Sequence, residues 1–303
     1  MNEFQIYSPE EQLHDPLFTE KNVRVFLKRD DMIHPFISGN KWRKLKYNIL
    51  EARTKKKNHL VTFGGVWSNH LLATACAAAK FGLRSTAFVR GEDINSDVLA
   101  LCRLFGMELI FTDRSAYRDK ETLYKNRFAE NPDTIFIDEG GAGESAMKGC
   151  AEIVQELQHP YDHLFCAAGT GTTFAGLLKG VQLSGLGTAT LCHCVPVLKG
   201  ADFLKEEINS YFETPPSYAF HTEYSFGGYA KTSTELLRYI GSFSAKTGIL
   251  LDPVYTGKMM FALYDLIRND QISEGSSILA LHTGGLFGLL GMKEQIAQAL
   301  KEG

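Results

Sequence analysis

The chain has 303 residues and a formal net charge of −3; hydrophobic residues make up 44% of it and charged residues 22%. This balance is typical of a globular protein, and the length favours two packed lobes over a single core. The sequence lacks a concentrated basic stripe, a secretory leader and an apolar run of membrane length, so we expect a soluble, cytoplasmic protein without nucleic-acid or membrane partners.

Short runs rich in β-branched and aromatic residues alternate with segments of helical periodicity. The predicted strands are residues 60–63, 85–89, 108–112, 134–137, 163–167, 188–195 and 277–281. The predicted helices are residues 69–81, 97–105, 116–130, 146–157, 173–183 and 257–268. This order predicts an α/β fold in two lobes, with parallel-sheet domains, helices on both faces of each sheet, and a ligand beyond the carboxyl ends of the strands.

Glycine-rich turns follow three of the predicted strands, at Gly64, Gly169 and Gly284. Because carboxyl ends of parallel strands meet at one edge, we expect all three turns to face one crevice. Residues 169–173 also open a helix, where free amides and the helix dipole favour a phosphate. A tight turn without a ligand is the alternative. Phe174 replaces the third glycine of a dinucleotide fingerprint, so that motif is absent.

Two further segments hold candidate binding residues. Ser68 precedes a predicted helix and suits its N-cap, while the exposed helix start also suits a carboxylate. The segment around Lys41 is dense in charge, although a lone lysine after a turn is usually solvated.

The cysteines predict no metal site. All six lie mostly within apolar segments and form no CxxC pair: Cys76, Cys102, Cys150, Cys166, Cys192 and Cys194. Buried, reduced thiols are therefore expected. His193 lies between two of them, but no second pair stands at ligand spacing.

Taken in order, these segments resemble one family. The motifs are Lys-Arg-Asp-Asp, Gly-Asn-Lys, Gly-Gly followed by Ser-Asn-His, a Gly/Thr-rich loop, Asp-Pro-Val-Tyr and His-Thr-Gly-Gly. The chain resembles the 1-aminocyclopropane-1-carboxylate deaminase and D-cysteine desulfhydrase family, pyridoxal-phosphate enzymes of the tryptophan synthase β-subunit fold. The resemblance implies a cofactor in the cleft between two lobes. We expect a large cofactor-binding domain of residues 1–50 and 146–303, with a small domain, 51–145, inserted in it.

The resemblance also implies roles for individual residues. It assigns cofactor binding to Lys41, Lys44, Asn69, Gly169, Thr170, Gly171, Thr172, Thr256 and Thr283. It assigns catalysis to Lys41, Ser68, Tyr229 and Tyr255, and substrate binding to Trp67, Ser68, Asn69 and His70. Lys41 would carry the cofactor and move a substrate proton, which requires a pKa below the ordinary value of a lysine.

The sequence departs from the family pattern at two positions. Thr256 stands where the cyclopropane deaminases typically carry a glutamate after the second tyrosine, so the chain looks more similar to the D-cysteine desulfhydrases. Trp67 stands where the family usually has a glutamine. The indole either narrows the substrate pocket or packs into the small lobe and supports the Ser68 turn.

The resemblance therefore predicts a pyridoxal-phosphate-dependent lyase that acts on a small amino acid and releases ammonia and a 2-oxo acid, as a homodimer. A β-replacement enzyme with the same cofactor is one alternative. The other is a cofactor-binding protein without turnover, in which Trp67 blocks the substrate.

Overall fold

The computed structural model describes residues 5–185 and 190–301. Its strands are β1 (Glu10–Leu13), β2 (Arg24–Lys28), β3 (His59–Gly65), β4 (Arg84–Arg90), β5 (Glu108–Thr112), β6 (Thr134–Ile137), β7 (His163–Ala168), β8 (Leu191–Pro196), β9 (Ala219–Phe220) and β10 (Ser277–Leu281). Its helices are α1 (Pro16–Glu20), α2 (Asn40–Thr54), α3 (Asn69–Lys80), α4 (Asp97–Leu104), α5 (Lys120–Phe128), α6 (Glu144–Gln155), α7 (Thr172–Ser184), α8 (Phe203–Asn209), α9 (Thr234–Thr247), α10 (Thr256–Arg268) and α11 (Lys293–Lys301). The predicted α/β alternation is confirmed.

The strands form two sheets. One has six strands in the order β1-β2-β10-β7-β8-β9, and the other has four in the order β5-β4-β3-β6. Every pair is parallel except β1 with β2. The four-stranded sheet uses only strands between residues 59 and 137, and the six-stranded sheet uses strands before and after that stretch. This arrangement suits an inserted small domain, whose boundaries stay a prediction.

Some elements differ from the sequence prediction. The helix predicted over 116–130 begins only at Lys120, because the Asp119 side chain accepts a hydrogen bond from the backbone N–H of Thr122 and caps the helix there. The strand predicted over 188–195 is observed as Leu191–Pro196, and residues 188 and 189 lie outside the described residues. Helix α2 was not predicted, because its buried charged residues Arg43 and Lys44 interrupt the apolar periodicity.

A buried ion cluster fixes α2 against the six-stranded sheet. The Arg43 guanidinium is 1% exposed and lies 2.6 Å and 2.7 Å from the two carboxylate oxygens of Asp30. It also donates two hydrogen bonds of 2.8 Å to Glu156. Bidentate pairing of this kind fixes direction as well as distance. The next turn of α2 packs Leu45 and Ile49 into the core beside the four-stranded sheet, so the helix joins the two sheets.

Candidate active site

A cavity of about 790 Å³ opens where the carboxyl ends of the two sheets meet. The turns after β3, β7 and β10 all line it, through Val66, Gly169 and Gly284 among others. The predicted common crevice is therefore present. Its volume lies within the usual range for cofactor and small-molecule sites.

The first residues of α2 are fastened to the cavity floor. Gly39 adopts a φ of +63°, and a Cβ atom there would lie 1.8 Å from the carbonyl oxygen of Thr283, so only glycine fits. The backbone N–H of Asn40 donates to that same carbonyl oxygen at 3.3 Å, and its side-chain amide donates to the Thr173 hydroxyl at 2.8 Å. These contacts leave Lys41, the next residue, lining the cavity.

The amine of Lys41 is poised to take up a proton near neutral pH. Burial, with the nearby charge of Lys44 second, lowers its pKa to about 7. Although the side chain is in contact with the open cavity, protein atoms surround it on its other sides. The lowered pKa is what a lysine needs in order to act as a base or nucleophile.

Lys44 lies one turn further along α2, beside the loop after β7. Its Nζ donates to the carbonyl oxygen of Gly140 at 3.0 Å and approaches the Thr170 hydroxyl at 3.4 Å. Within the described residues, the backbone amides of Gly169, Thr170 and Gly171 donate no hydrogen bond to a protein acceptor. Gly171 is left-handed, with a φ of +75°, and precedes the first residue of α7. Free amides, a helix start and an ammonium group together fit a phosphate.

The backbone N–H of Thr172, the first residue of α7, also donates no described hydrogen bond and stays a candidate for the phosphate, but the Thr172 side chain lies away from the cavity. This side chain is completely buried, and it is not part of the cavity wall. Its hydroxyl lies 3.3 Å from those of Thr170 and Tyr211. The structure therefore brings Gly169, Thr170 and Gly171 to the cavity and puts the Thr172 side chain behind them.

The segment after β3 forms the opposite wall. The Ser68 hydroxyl caps α3 by accepting from the N–H of Leu71 at 3.4 Å. The carboxamide oxygen of Asn69 is buried and has no hydrogen-bond partner within the described residues. An unpartnered buried acceptor in a cavity wall fits a ligand that donates to it or lies against it.

The imidazole of His70 also belongs to the cavity wall, and its Nδ1 is buried without a hydrogen-bond partner among the described residues. Its Nε2 lies 2.7 Å from the Thr62 hydroxyl, and the side chain is 2% exposed. Burial, with the charge of Lys41 second, holds its pKa well below the ordinary value, so the ring is neutral. The backbone of His70 remains in the first turn of α3 and is still suited to a carboxylate.

Trp67 contacts both the cavity and the segment after β10. It lines the cavity, and a Cβ atom on Gly291 would lie 3.0 Å from its indole. It also packs against the core cluster that contains Leu71 and Leu72. The two roles considered for Trp67 are therefore compatible, because one face of the ring can pack while another meets the cavity.

Tyr229 and Tyr255 line the side of the cavity formed by the six-stranded sheet. Their ring centroids are 6.1 Å apart and the rings meet edge to face. The Tyr255 ring lies against Gly169, where a Cβ atom would be 3.0 Å away. Tyr229 is half exposed at the cavity mouth. Burial raises the pKa of both groups, so both hydroxyls are protonated at neutral pH.

Thr283 lines the cavity, whereas Thr256 does not. The Thr256 hydroxyl donates to the Asp252 carboxylate at 2.8 Å and accepts from the Asp252 backbone N–H at 2.9 Å. That carboxylate also accepts from the backbone N–H groups of Val254, Tyr255 and Thr256. Sequence reasoning missed this arrangement, in which Thr256 and Asp252 fix the turn that carries Tyr255.

Sequence reasoning also missed three charged residues of the cavity wall, Arg90, Arg114 and Glu139. Arg90 is the last residue of β4, and Arg114 and Glu139 follow β5 and β6. The rule that ligands bind at the carboxyl ends of parallel strands could have found all three. Within the described ranges, no group of three or more His, Cys, Asp or Glu side chains could hold a metal ion, and no described helix is long and apolar enough to cross a membrane.

The chain belongs to the pyridoxal-phosphate dependent enzymes, whose family model matches residues 12–284. A protein of Pyrococcus abyssi, provisionally named a 1-aminocyclopropane-1-carboxylate deaminase, is 31% identical over 305 residues, covering 93% of this chain and 90% of the relative. A D-cysteine desulfhydrase of Yersinia enterocolitica is 27% identical over 297 residues, covering 90% and 89%. A solved structure described as an ACC deaminase homologue has a TM-score of 0.85 and 28% identity, covering 98% of this chain and 94% of its own. The predicted family and its cofactor are confirmed.

Proposed function

We propose that this enzyme is a lyase that takes a small amino acid, preferably one with a good leaving group on its β-carbon, and with one water molecule releases that group, ammonia and a 2-oxo acid. One observation carries the proposal. Lys41, whose pKa is lowered to about 7, shares a single cavity with the free amides of residues 169–171 and with the start of α3. The names of the relatives, which describe deamination and desulfhydration, agree with it.

One set of cavity residues would bind the cofactor. Lys41 would hold the cofactor, the amides of residues 169–171 with Lys44 would hold its phosphate, and Asn69 and Thr283 would contact its ring. The bound cofactor supplies an electron sink for the carbon next to the amino group. Contacts to free backbone amides depend little on side-chain motion, so this half of the site is preorganised.

The remaining groups bind the substrate and move protons. Ser68, with the backbone amides of Asn69 and His70, would bind the substrate carboxylate at the start of α3. The Lys41 amine would take a proton from the substrate carbon, since its pKa matches neutral conditions. Tyr255 and Tyr229, protonated and side by side, would deliver a proton to the leaving group.

Thr256 bears on the choice between the two activities named for the relatives. Its hydroxyl is engaged by Asp252 and lies outside the cavity wall, so no carboxylate from this position meets the ring of the cofactor. We therefore expect D-cysteine to be processed faster than 1-aminocyclopropane-1-carboxylate. Comparable or faster opening of the cyclopropane ring would contradict this preference.

Reduction with borohydride followed by peptide mapping tests the assignment of Lys41. We expect the label on Lys41, and we expect Lys41→Ala to remain folded but to lose both the label and 2-oxo acid release from a panel of D- and L-amino acids. Lys148→Ala, which removes an ammonium group outside the cavity, is the matched control. A label on Lys44 or Lys258 would overturn the assignment.

Two alternatives share the cofactor and are separated by the same assay. A β-replacement enzyme would form 2-oxo acid slowly and would consume an added nucleophile. A binding protein without turnover would take the label on Lys41 and release no 2-oxo acid. A homodimer in the cytoplasm is the setting that we expect, and light scattering of the purified protein together with cell fractionation would test it.

A further inference from the structure

Two guanidinium groups in the cavity wall have no role in the proposed reaction. Arg90 ends β4 and Arg114 follows β5, and both side chains are exposed to the cavity. Within residues 5–185 and 190–301, neither group forms a hydrogen bond or an ion pair with a protein acceptor. Arginine side chains without acceptors in a concave site are available to a ligand.

Arg90 is held next to the proposed substrate-binding turn. It pairs in register with Gly65 of β3, and its Nη2 lies 3.7 Å from where a Cβ atom on Gly65 would be. The guanidinium carbon is 5.3 Å from the centroid of the Tyr117 ring, whose side chain is buried. Stacking on a fixed ring orients the guanidinium and leaves its N–H edge free to bind an anion.

Positively charged side chains outnumber negatively charged ones in the cavity wall. Apart from Lys41, which would hold the cofactor, its charged side chains are Lys44, Arg90, Arg114 and Glu139. The single carboxylate among them already pairs with Lys120 at 3.3 Å. A phosphate beside Lys44 and a substrate carboxylate at the start of α3 leave both arginines without a counter-charge. A positive wall of this kind attracts a further negative group.

We propose that Arg90, supported by Arg114, forms a subsite for a negatively charged group on the side chain of the substrate. The enzyme then prefers amino acids that carry a carboxylate, sulfonate or similar acid in addition to their α-carboxylate. This inference rests on the proposed function, because it assumes that an amino acid occupies the cavity. The backbone of β3 and β4 places the subsite on the same wall as Ser68, which gives the two anionic ends of such a substrate separate partners.

Calorimetry on the holoenzyme tests the subsite without requiring turnover. The probes are cysteate, which has an acidic side chain, and alanine, which has a neutral one, each as the D- and the L-form. We expect one enantiomer of cysteate to bind about tenfold or more tightly than the matching alanine, the usual value of a charged hydrogen bond. Arg90→Gln should remove this preference. Arg118→Gln, which removes an exposed guanidinium of the same sheet region outside the cavity, should keep it.

The outcomes separate this inference from the proposed function. Equal binding of cysteate and alanine by the wild type, absence of cysteate binding, or a preference that survives Arg90→Gln each overturns the subsite. Release of 2-oxo acid is measured separately on the same samples. A protein that prefers cysteate but turns over no substrate keeps the subsite and loses the lyase proposal. A protein that releases 2-oxo acid without preferring cysteate keeps the lyase proposal and loses the subsite.

Discussion

The two walls of the cavity leave different groups free for ligands. On the side of the six-stranded sheet the groups free to hold a phosphate are backbone amides, those of residues 169–171, while Asp252 and Thr256, behind the cavity wall, bond to one another. On the side of the four-stranded sheet they are side-chain groups, the Asn69 oxygen and the Arg90 guanidinium. Backbone groups are set by the fold, whereas side chains change with a single substitution. The amides of the first wall therefore suit the phosphate of the cofactor, and the Arg90 side chain of the second wall suits a group that differs between substrates.

The largest effect on the wall of the six-stranded sheet is expected from removing the buried carboxylate of Asp252. Asp252→Ala leaves the backbone N–H groups of Val254, Tyr255 and Thr256 without their acceptor in a buried turn. We expect the free energy of unfolding to fall by about 3 kcal/mol, measured by urea denaturation. Asp202→Ala removes an exposed carboxylate and should change it by less than about 0.5 kcal/mol. Equal stability of the two variants would show that the turn does not depend on Asp252.

The contrast between the walls also explains which features the sequence could predict. The turns predicted at Gly64 and Gly169 each lie between a strand and a helix, so their place at one edge was predictable from local pattern, although β3 extends to Gly65. Thr256 adjoins Tyr255 in sequence, yet only the folded turn directs its hydroxyl to Asp252 and away from the cavity. Arg90 resembles any charged residue at a strand end, and its lack of an acceptor depends on tertiary neighbours.

The pH dependence of stability tests the unusual state of Lys41. Its pKa is about 7 in the folded chain against an ordinary 10.5, so between these values the unfolded chain binds a proton that the folded chain does not. Raising the pH through this window therefore stabilises the cofactor-free protein, and below the window the penalty is constant. Relative to Lys41→Met, the wild type should gain about 2 kcal/mol between pH 7 and pH 9. Parallel pH curves for the two proteins would show that Lys41 has an ordinary pKa.

A substitution of Lys258 tests whether this buried side chain holds Tyr229 in place in the wall formed by the six-stranded sheet. Its buried Nζ donates hydrogen bonds of 2.8 Å to the carbonyl oxygens of Ser225 and Gly228. The loop that it holds contains four residues with positive φ, between residues 226 and 230. Lys258→Met should lower kcat about tenfold, with a smaller change in KM, because Tyr229 is no longer held in place.

Lys231→Met is the control for this prediction. It removes an exposed ammonium group from the same loop region and breaks no hydrogen bond described for that side chain. We expect its kcat to equal that of the wild type. If Lys258→Met unfolds at a lower temperature but keeps its kcat, the lysine stabilises the loop without positioning Tyr229.

The smallest effect is expected at Trp67, where the second wall meets the segment after β10. A Cβ atom on Gly291 would lie 3.0 Å from the indole, a tight contact that forces the ring to shift, whereas one on Gly288 would meet only Asn69 at 3.9 Å. Neither glycine has a positive φ, so alanine fits the backbone at both positions. Gly291→Ala should therefore change the ratio of kcat/KM for D-cysteine and a bulkier amino acid by about threefold to tenfold, the lower end of the effect of a methyl group in a pocket. Gly288→Ala should leave the ratio unchanged.

Because the cofactor would contact other residues, its absorption spectrum should stay the same in both variants. A lower melting temperature for Gly291→Ala with an unchanged ratio of kcat/KM would show that the Trp67 indole packs against the segment after β10 and does not determine substrate specificity.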